Sequence, residues 1–268
     1  MAKSNGGPPP IVVISDPHCG SAYGMCPPGM KTSNGNEILL NKPQQWLWNF
    51  WEAKAFPAIK SLGRGFTLIF NGDAIDGVHH NTTELVSHDP GDHFSIAVEF
   101  LRPVVKLAGK VYVVRGTESH VRNAEMGIAR VFDAVPNEDT ELPVWDVLNL
   151  PYGGGITRFV HHVGGGNYYA SGIARVGKAL EQHQIFAAAV RRDIPDVLVM
   201  GHCHQYWSVS NGMNAAATMP PLQLKTRYAN KVVPFANNEV GICILYYTAN
   251  DPIPDFRVIK EVMVGPGV

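Results

Sequence analysis

The chain has 268 residues, 45% of them apolar and 17% charged, with a net charge of −1. That is enough chain for one large or two small domains with a substantial core, and it is too apolar and too weakly charged for a disordered or coiled-coil protein. The balance lacks the overall basic footprint of a nucleic-acid-binding protein, whereas the 11 histidines, several beside Asp or Gly, are a compositional hint of metal chemistry.

Residues 1–10 are rich in Gly and Pro with nothing to bury, and are expected to form a flexible lead-in to a single domain over 11–268. They contain no apolar signal core, and the rest of the chain has no run long enough to cross a bilayer, so the expected location is cytoplasmic, with no membrane partner. Cys19, Cys26, Cys203 and Cys243 form no C-x-x-C pair and are expected to be free thiols.

Ile11-Val12-Val13-Ile14 is an unbroken β-branched run, expected as a strand buried on both faces over 11–15. It ends in Asp16-Pro17-His18, whose two functional side chains, two residues apart, can aim at one point beyond the strand end. A long loop comes next, with turn signals at Pro27-Pro28-Gly29 and Asn34-Gly35-Asn36. Trp46, Leu47, Phe50 and Ala53 then recur at helical spacing, giving a helix over about 43–62 with Pro43 in its first turn and a kink or early end at Pro57. The aromatic cluster there reads as helix-on-sheet packing. Phe66–Phe70 is the second strand and ends in Gly72-Asp73-Ala74-Ile75-Asp76. A His-rich polar stretch with His79, His80, His88 and His93 leads to a helix over about 94–108 and a third strand, Val111–Val114, ending in Arg115-Gly116-Thr117-Glu118-Ser119-His120.

A third helix is expected from about 122 to 134, turns over 136–153, and a fourth strand at Gly155–Val160 ending in His161-His162. A helix over about 170–192 precedes the fifth strand, Asp196–Met200, which ends in Gly201-His202-Cys203-His204. From Gln205 onward short apolar runs alternate with turn residues and read as antiparallel strands. Strand–helix units ahead of a strand-rich part point to an α/β or α+β chain of two packed sheets with helices outside.

Five expected strands thus end in polar clusters, and loops at one sheet edge converge, so these residues can build one site. The order Asp-x-His, Gly-Asp-x-x-Asp, a Gly-x-His-like cluster, a strand-ending His and Gly-His-x-His, spread over residues 16–204, resembles the calcineurin-like metallophosphoesterases. The resemblance implies a four-layer αββα sandwich of two mixed sheets, with the C-terminal strands in the second sheet. It also implies a two-metal site: Asp16, His18, Asp73 and His204 around one ion, and Asp73, His161 and His202 around the other. Manganese is the first expectation, with zinc, iron or magnesium as alternatives. A hydroxide shared by the ions would attack phosphorus.

The third motif departs from the family's Gly-Asn-His-Asp/Glu. The Asn is missing and the His lies two positions later, so His120 is expected as general acid or phosphate contact, with Glu118 or Thr117 taking the Asn's place at the second ion. Asp76 is expected to orient a ligand or loop, and so to serve catalysis from outside the ligand set. Strand alternation says that His161 and His162 cannot both be ligands, and the resemblance favours His161. His79 and His80 are candidates to line the substrate mouth, as are His88 and His93. Arg115 is the arginine expected near the phosphate, with Arg122 and Arg130 as alternatives. Cys19 and Cys203, beside metal motifs, are expected to be packing residues.

The expected function is hydrolysis of a phosphodiester or phosphomonoester by a binuclear metal-dependent enzyme, the diester (nucleotide or nucleic acid) favoured. The alternative is a weakly active or inactive scaffold that keeps the fold.

Overall fold

The structure is a computed structural model of the chain, and residues 7–79, 82–121, 123–162, 172–232 and 236–264 are described. Ten strands form two sheets. In the first, the order is β10 (Asp255–Val262), β9 (Glu239–Tyr246), β1 (Ile11–Ile14), β2 (Thr67–Asn71) and β3 (Lys110–Val114). In the second, it is β4 (Leu148–Tyr152), β5 (Gly155–Val160), β6 (Val197–Met200), β8 (Ala215–Thr218) and β7 (Trp207–Ser210). Both are mixed. β1, β2 and β3 run parallel, with β9 antiparallel to β1 and β10 antiparallel to β9. β5, β6 and β8 run parallel, with β4 and β7 antiparallel at the edges.

The layering is set by side-chain alternation. Ile11, Val13, Ile69 and Val114 face inward and meet Leu148, Phe159, Val197 and Val199 of the other sheet in one core. Val12, Ile14, Leu68 and Phe70 face outward and are covered by α1 (Lys42–Phe50), α3 (Pro90–Val105) and α5 (Ala124–Val131) through Leu47, Phe100 and Ile128. Leu198 and Met200 face out of the second sheet onto Val176 and Leu180 of α6 (Gly172–Ala189). β1, β2 and β6 are therefore buried on both faces, which is why they read as continuous apolar runs. The chain forms the expected four-layer αββα sandwich.

Three differences from the sequence expectation have local causes. The helix expected over 43–62 is capped by Asn41 and Gln44 in a reciprocal box and passes through a π-turn at Trp51–Ala55 into α2 (Phe56–Lys60). The Phe56 N–H reaches back to Trp51 O, one residue ahead of Pro57, so the helix absorbs the proline by widening rather than ending. The turn-like stretch 136–153 contains β4, an edge strand that tolerates Pro151 because its outer side needs no donor. The C-terminal strands divide between the sheets: β7 and β8 extend the second, β8 running parallel to β6, whereas β9 and β10 complete the first. Short helices α4 (Glu118–Val121) and α7 (Arg227–Val232) lie in the loops at the strand ends. No helix among the described residues is long and apolar enough to cross a membrane.

Phe159 is fully buried between the sheets. Phe159→Ala leaves a cavity there and should lower the free energy of unfolding by about 3–5 kcal/mol, read as a shifted denaturant midpoint at unchanged m-value.

Candidate metal centre

The loops after β1 and β2 run side by side. The Asp16 and His18 N–H groups donate to Gly72 O and Asp73 O, each at 3.1 Å, and the Gly201 N–H after β6 donates to His161 O at 3.1 Å. These tight exits hold the chain in the left-handed region: Asp16 (φ 51°), His18 (φ 40°), Asp73 (φ 51°), His202 (φ 66°) and His204 (φ 50°) are five of the eight non-glycine residues with positive φ among those described. Asp and His are among the side chains that enter this region most readily, and such strain concentrates at functional sites. The two motif glycines have one cause. The His161 ring is wedged between them and donates Nδ1–H to Asn71 O at 2.8 Å. A Cβ on Gly72 would overlap its Nδ1, and one on Gly201 would come within 2.7 Å of it.

Among the described residues three groups offer converging ligand atoms: the triads Asp16/His18/His204 and Asp73/His161/His202, and His18/Asp76/His120, which shares His18 with the first. The first two each draw on both sheets. Asp73 joins them: its Oδ2 lies 3.0 Å from His161 Nε2 and 3.6 Å from His18 Nε2. In the first triad, His204 Nε2 is 3.3 Å from Asp16 Oδ1 and 3.2 Å from His18 Nε2. The donor set fits divalent cations on two counts. Two imidazole Nε2 atoms face one another across a space a carboxylate also borders. In addition, the buried His161 Nε2 lies 3.0 Å from Asp73 Oδ2 and makes no hydrogen bond, an orphaned donor atom beside a carboxylate that a cation would satisfy.

Asp16, Asp73 and Asp76 are 0%, 1% and 5% exposed. Burial alone would raise their pKa values, but the facing histidines outweigh it. His161 and His204 hold Asp16 at about 2, His161 and His18 keep Asp73 well below the carboxylate range, and His18 and His79 lower Asp76. Reciprocally, burial would lower His161, but Asp73 and Asp16 lift it to about 10. His18 also rises against burial, through Asp76 and Asp73. His202 goes the other way, to about 4, through burial and the His161 charge.

Asp76 stands behind the cluster. Its Oδ1 meets His18 Nδ1 at 3.0 Å, which fixes the ring with Nε2 toward the site, and its main-chain carbonyl accepts His120 Nδ1–H at 2.8 Å. His120 packs edge-on against His18 and His79, with ring centroids 4.9 and 4.2 Å apart. Burial and the His18 charge bring it down to about 4. His120 and His79 line a cavity of about 460 Å³ with His18, Asp73, His202 and His204, and the exposed Tyr228 lies at its outer wall.

The structure does not bring every expected residue here. Glu118 is exposed on the first turn of α4 and belongs to none of the ligand groups. Thr117 instead lies at the second triad, its N–H donating to Asp73 Oδ1 at 2.6 Å and its Oγ1 lying 3.2 Å from Asp73 Oδ2 and 3.3 Å from His202 Nδ1. Arg115 turns away to pair with Asp146 at 2.8 Å, and Arg130 is exposed on α5. His162 is exposed, whereas His161 is in the cluster. His88 is exposed, and His93 is buried with Nε2 on Ser87 O at 2.7 Å. His80 and Arg122 lie outside the described residues. Cys19 and Cys203 are buried in the apolar clusters, their thiols pushed up by burial, Cys203 to about 12. Sequence reasoning passed over Glu125, a 2%-exposed carboxylate behind Asp73 that burial raises to about 7.

No protein-family model matches the chain, and no curated protein does. Among solved structures, it is similar to an archaeal phosphodiesterase (11% identity, covering 95% of this chain and 99% of that one, TM-score 0.43). It is also similar to Vps29 of Chaetomium thermophilum (12% identity, 97% and 100%, TM-score 0.44). A third is Vps29 of Entamoeba histolytica complexed with zinc (15% identity, 94% and 98%, TM-score 0.42).

The shifted groups give a pH signature. His161 is raised from 6.5 to about 10, so in metal-stripped protein its stabilisation is complete below 6.5 and is lost as pH rises toward 10. Thermal melts of the stripped chain should therefore fall steadily across that interval. Divalent ions must displace the same protons, so adding manganese at neutral pH to weakly buffered stripped protein should release protons and acidify the solution.

Proposed function

We propose that this chain is a divergent calcineurin-like metallophosphoesterase that hydrolyses phosphate esters with two divalent ions, phosphodiesters in preference to phosphomonoesters. The observation that carries this is the pair of triads joined through Asp73 at the floor of the cavity. Asp16, His18, Asp73 and His204 would hold one ion, and Asp73, His161 and His202 the other. Thr117, with its hydroxyl against Asp73 and His202, would take the role at the second ion that the resemblance gives to the family's Asn. Bound there, such ions supply Lewis acidity toward the phosphoryl oxygens and acidify water at neutral pH. A mixed imidazole–carboxylate set suits manganese, zinc or iron.

The chain's own groups do the rest. Asp76 keeps His18 and His120 in register, one through its carboxylate and one through its carbonyl. With Nδ1–H committed to Asp76 O, His120 presents Nε2 to a substrate oxygen, and once the charge of a bound phosphate draws a second proton onto the ring, Nε2–H would contact the phosphoryl group or donate to the leaving group. His79 braces the outer face of the His120 ring. The preference for diesters rests on charge: among the described residues lining the cavity there is no Arg or Lys. A monoester dianion favours an Arg or Lys clamp beyond the ions, whereas a diester carries a single charge.

The test is a paired assay on stripped protein reloaded separately with manganese, zinc, iron or magnesium, against bis-p-nitrophenyl phosphate and p-nitrophenyl phosphate. Metal-dependent turnover that is faster on the diester and abolished in Asp73→Asn is the expected result. Two bound ions with no turnover on either ester would favour a non-catalytic scaffold, and no metal binding would overturn the reading.

His120→Ala should lower kcat/KM by about 10²–10⁴-fold on esters with poor leaving groups and by less on p-nitrophenyl esters, whose leaving group needs little protonation. An equal loss on both would assign His120 to phosphate contact alone.

A further inference from the structure

Glu125, at the start of α5, is buried to 2% and no part of the proposed chemistry uses it. Its Oε2 accepts the Gly116 N–H at 2.7 Å, and its Oε1 accepts the Ala74 N–H at 3.3 Å. These donors come from the loops after β3 and β2, and each is the chain neighbour of a residue at the second triad: Ala74 comes directly after Asp73, and Gly116 directly before Thr117. The loops are pressed together at this point, since a Cβ on Gly116 would overlap the Asp73 N and Oδ1 atoms. Thr117 in turn holds both Asp73 oxygens, through its N–H at 2.6 Å and its hydroxyl at 3.2 Å.

We propose that Glu125 is a positioning residue that clamps the two loops and so sets the shared carboxylate of Asp73, with Thr117, for the second ion. This rests on the two-metal reading above. The position needs two oxygens that can both accept. Two N–H donors converge on it, and a glutamine could accept one while turning its own NH2 onto the other. An unsatisfied buried amide results, and the loop it belongs to must shift. No hydrogen bond joins Glu125 to Asp16, His18 or His204, so the first ion would keep three ligands the clamp does not touch, and the consequence falls mainly on the second, which depends on both Asp73 and Thr117. Partners behind a metal ligand typically govern affinity by about 10–100-fold.

Manganese titration of the full, stripped chain tests this, with stoichiometry and affinity from calorimetry and the coupling of the two ions from electron paramagnetic resonance. Wild type should take up two ions with the spin-coupled signal of a carboxylate-bridged pair. Glu125→Gln should bind the second ion about 10–100-fold more weakly, weaken the first by less, and show the uncoupled six-line signal of isolated manganese at one ion per chain. Glu125→Asp, which keeps two acceptor oxygens on a shorter arm, should restore part of the second ion's affinity and part of the coupling. A merely structural role would lower the melting temperature and leave both affinities and the coupling unchanged, and that result would overturn the proposal. If Glu125→Gln does not fold, Glu125→Asp decides alone: wild-type affinity and coupling overturn the proposal, and selective weakening of the second ion supports it. Wild type binding fewer than two ions would overturn the two-metal reading itself, and this proposal with it.

Discussion

Three buried aspartates cannot share a pocket without positive charge between them, and much of this molecule is arranged to provide it. Asp16, Asp73 and Asp76 sit where burial opposes ionisation, yet all three are held ionised by the histidines that face them. The same pairing lifts His161 and His18. A proton on imidazole and a divalent ion are two answers to one electrostatic demand, and the site favours whichever the solution offers.

That demand explains details remote from the charges. The clustered side chains come from strand ends in two sheets, so the exits are sharp, and the backbone enters the left-handed region at five of them. The ring of His161 must pass between two loops, so both loops carry glycine where it passes. A second tier of side chains (Asp76 behind His18, Glu125 behind Asp73, and Thr117 between the triads) aims groups whose own backbone is strained.

Much of this was legible in the sequence because the strands at the site are buried on both faces. Ile11–Ile14 and Val197–Met200 announce themselves as apolar runs, and the polar residues directly after each run necessarily lie at a strand end. The illegible part depends on where side chains point beyond the strand ends. Glu118 and Thr117 are adjacent in the third motif, and only the start of α4 at Glu118 turns one outward and leaves the other against Asp73. Arg115 found a partner in Asp146, 31 residues away. Glu125 looks like any acidic residue in a helix's first turn, and its burial is a property of the packed loops above it. The destination of β9 and β10 is likewise a matter of long-range pairing, which alternation along a strand cannot reveal.

The pairing of β1 with β9 bears on how the molecule is made. Ile11 lies opposite Leu245, so the strand ahead of Asp16 and His18 gains its second neighbour only once synthesis has passed β9. Until then the centre of the first sheet is an open edge, and open edges invite pairing with other chains. Closing so long a loop is slow compared with the local strand–helix units on either side. The nascent chain therefore carries the histidines and aspartates of the cluster before the first sheet is complete. That makes the interval before β9 docks the one in which misassembly is easiest.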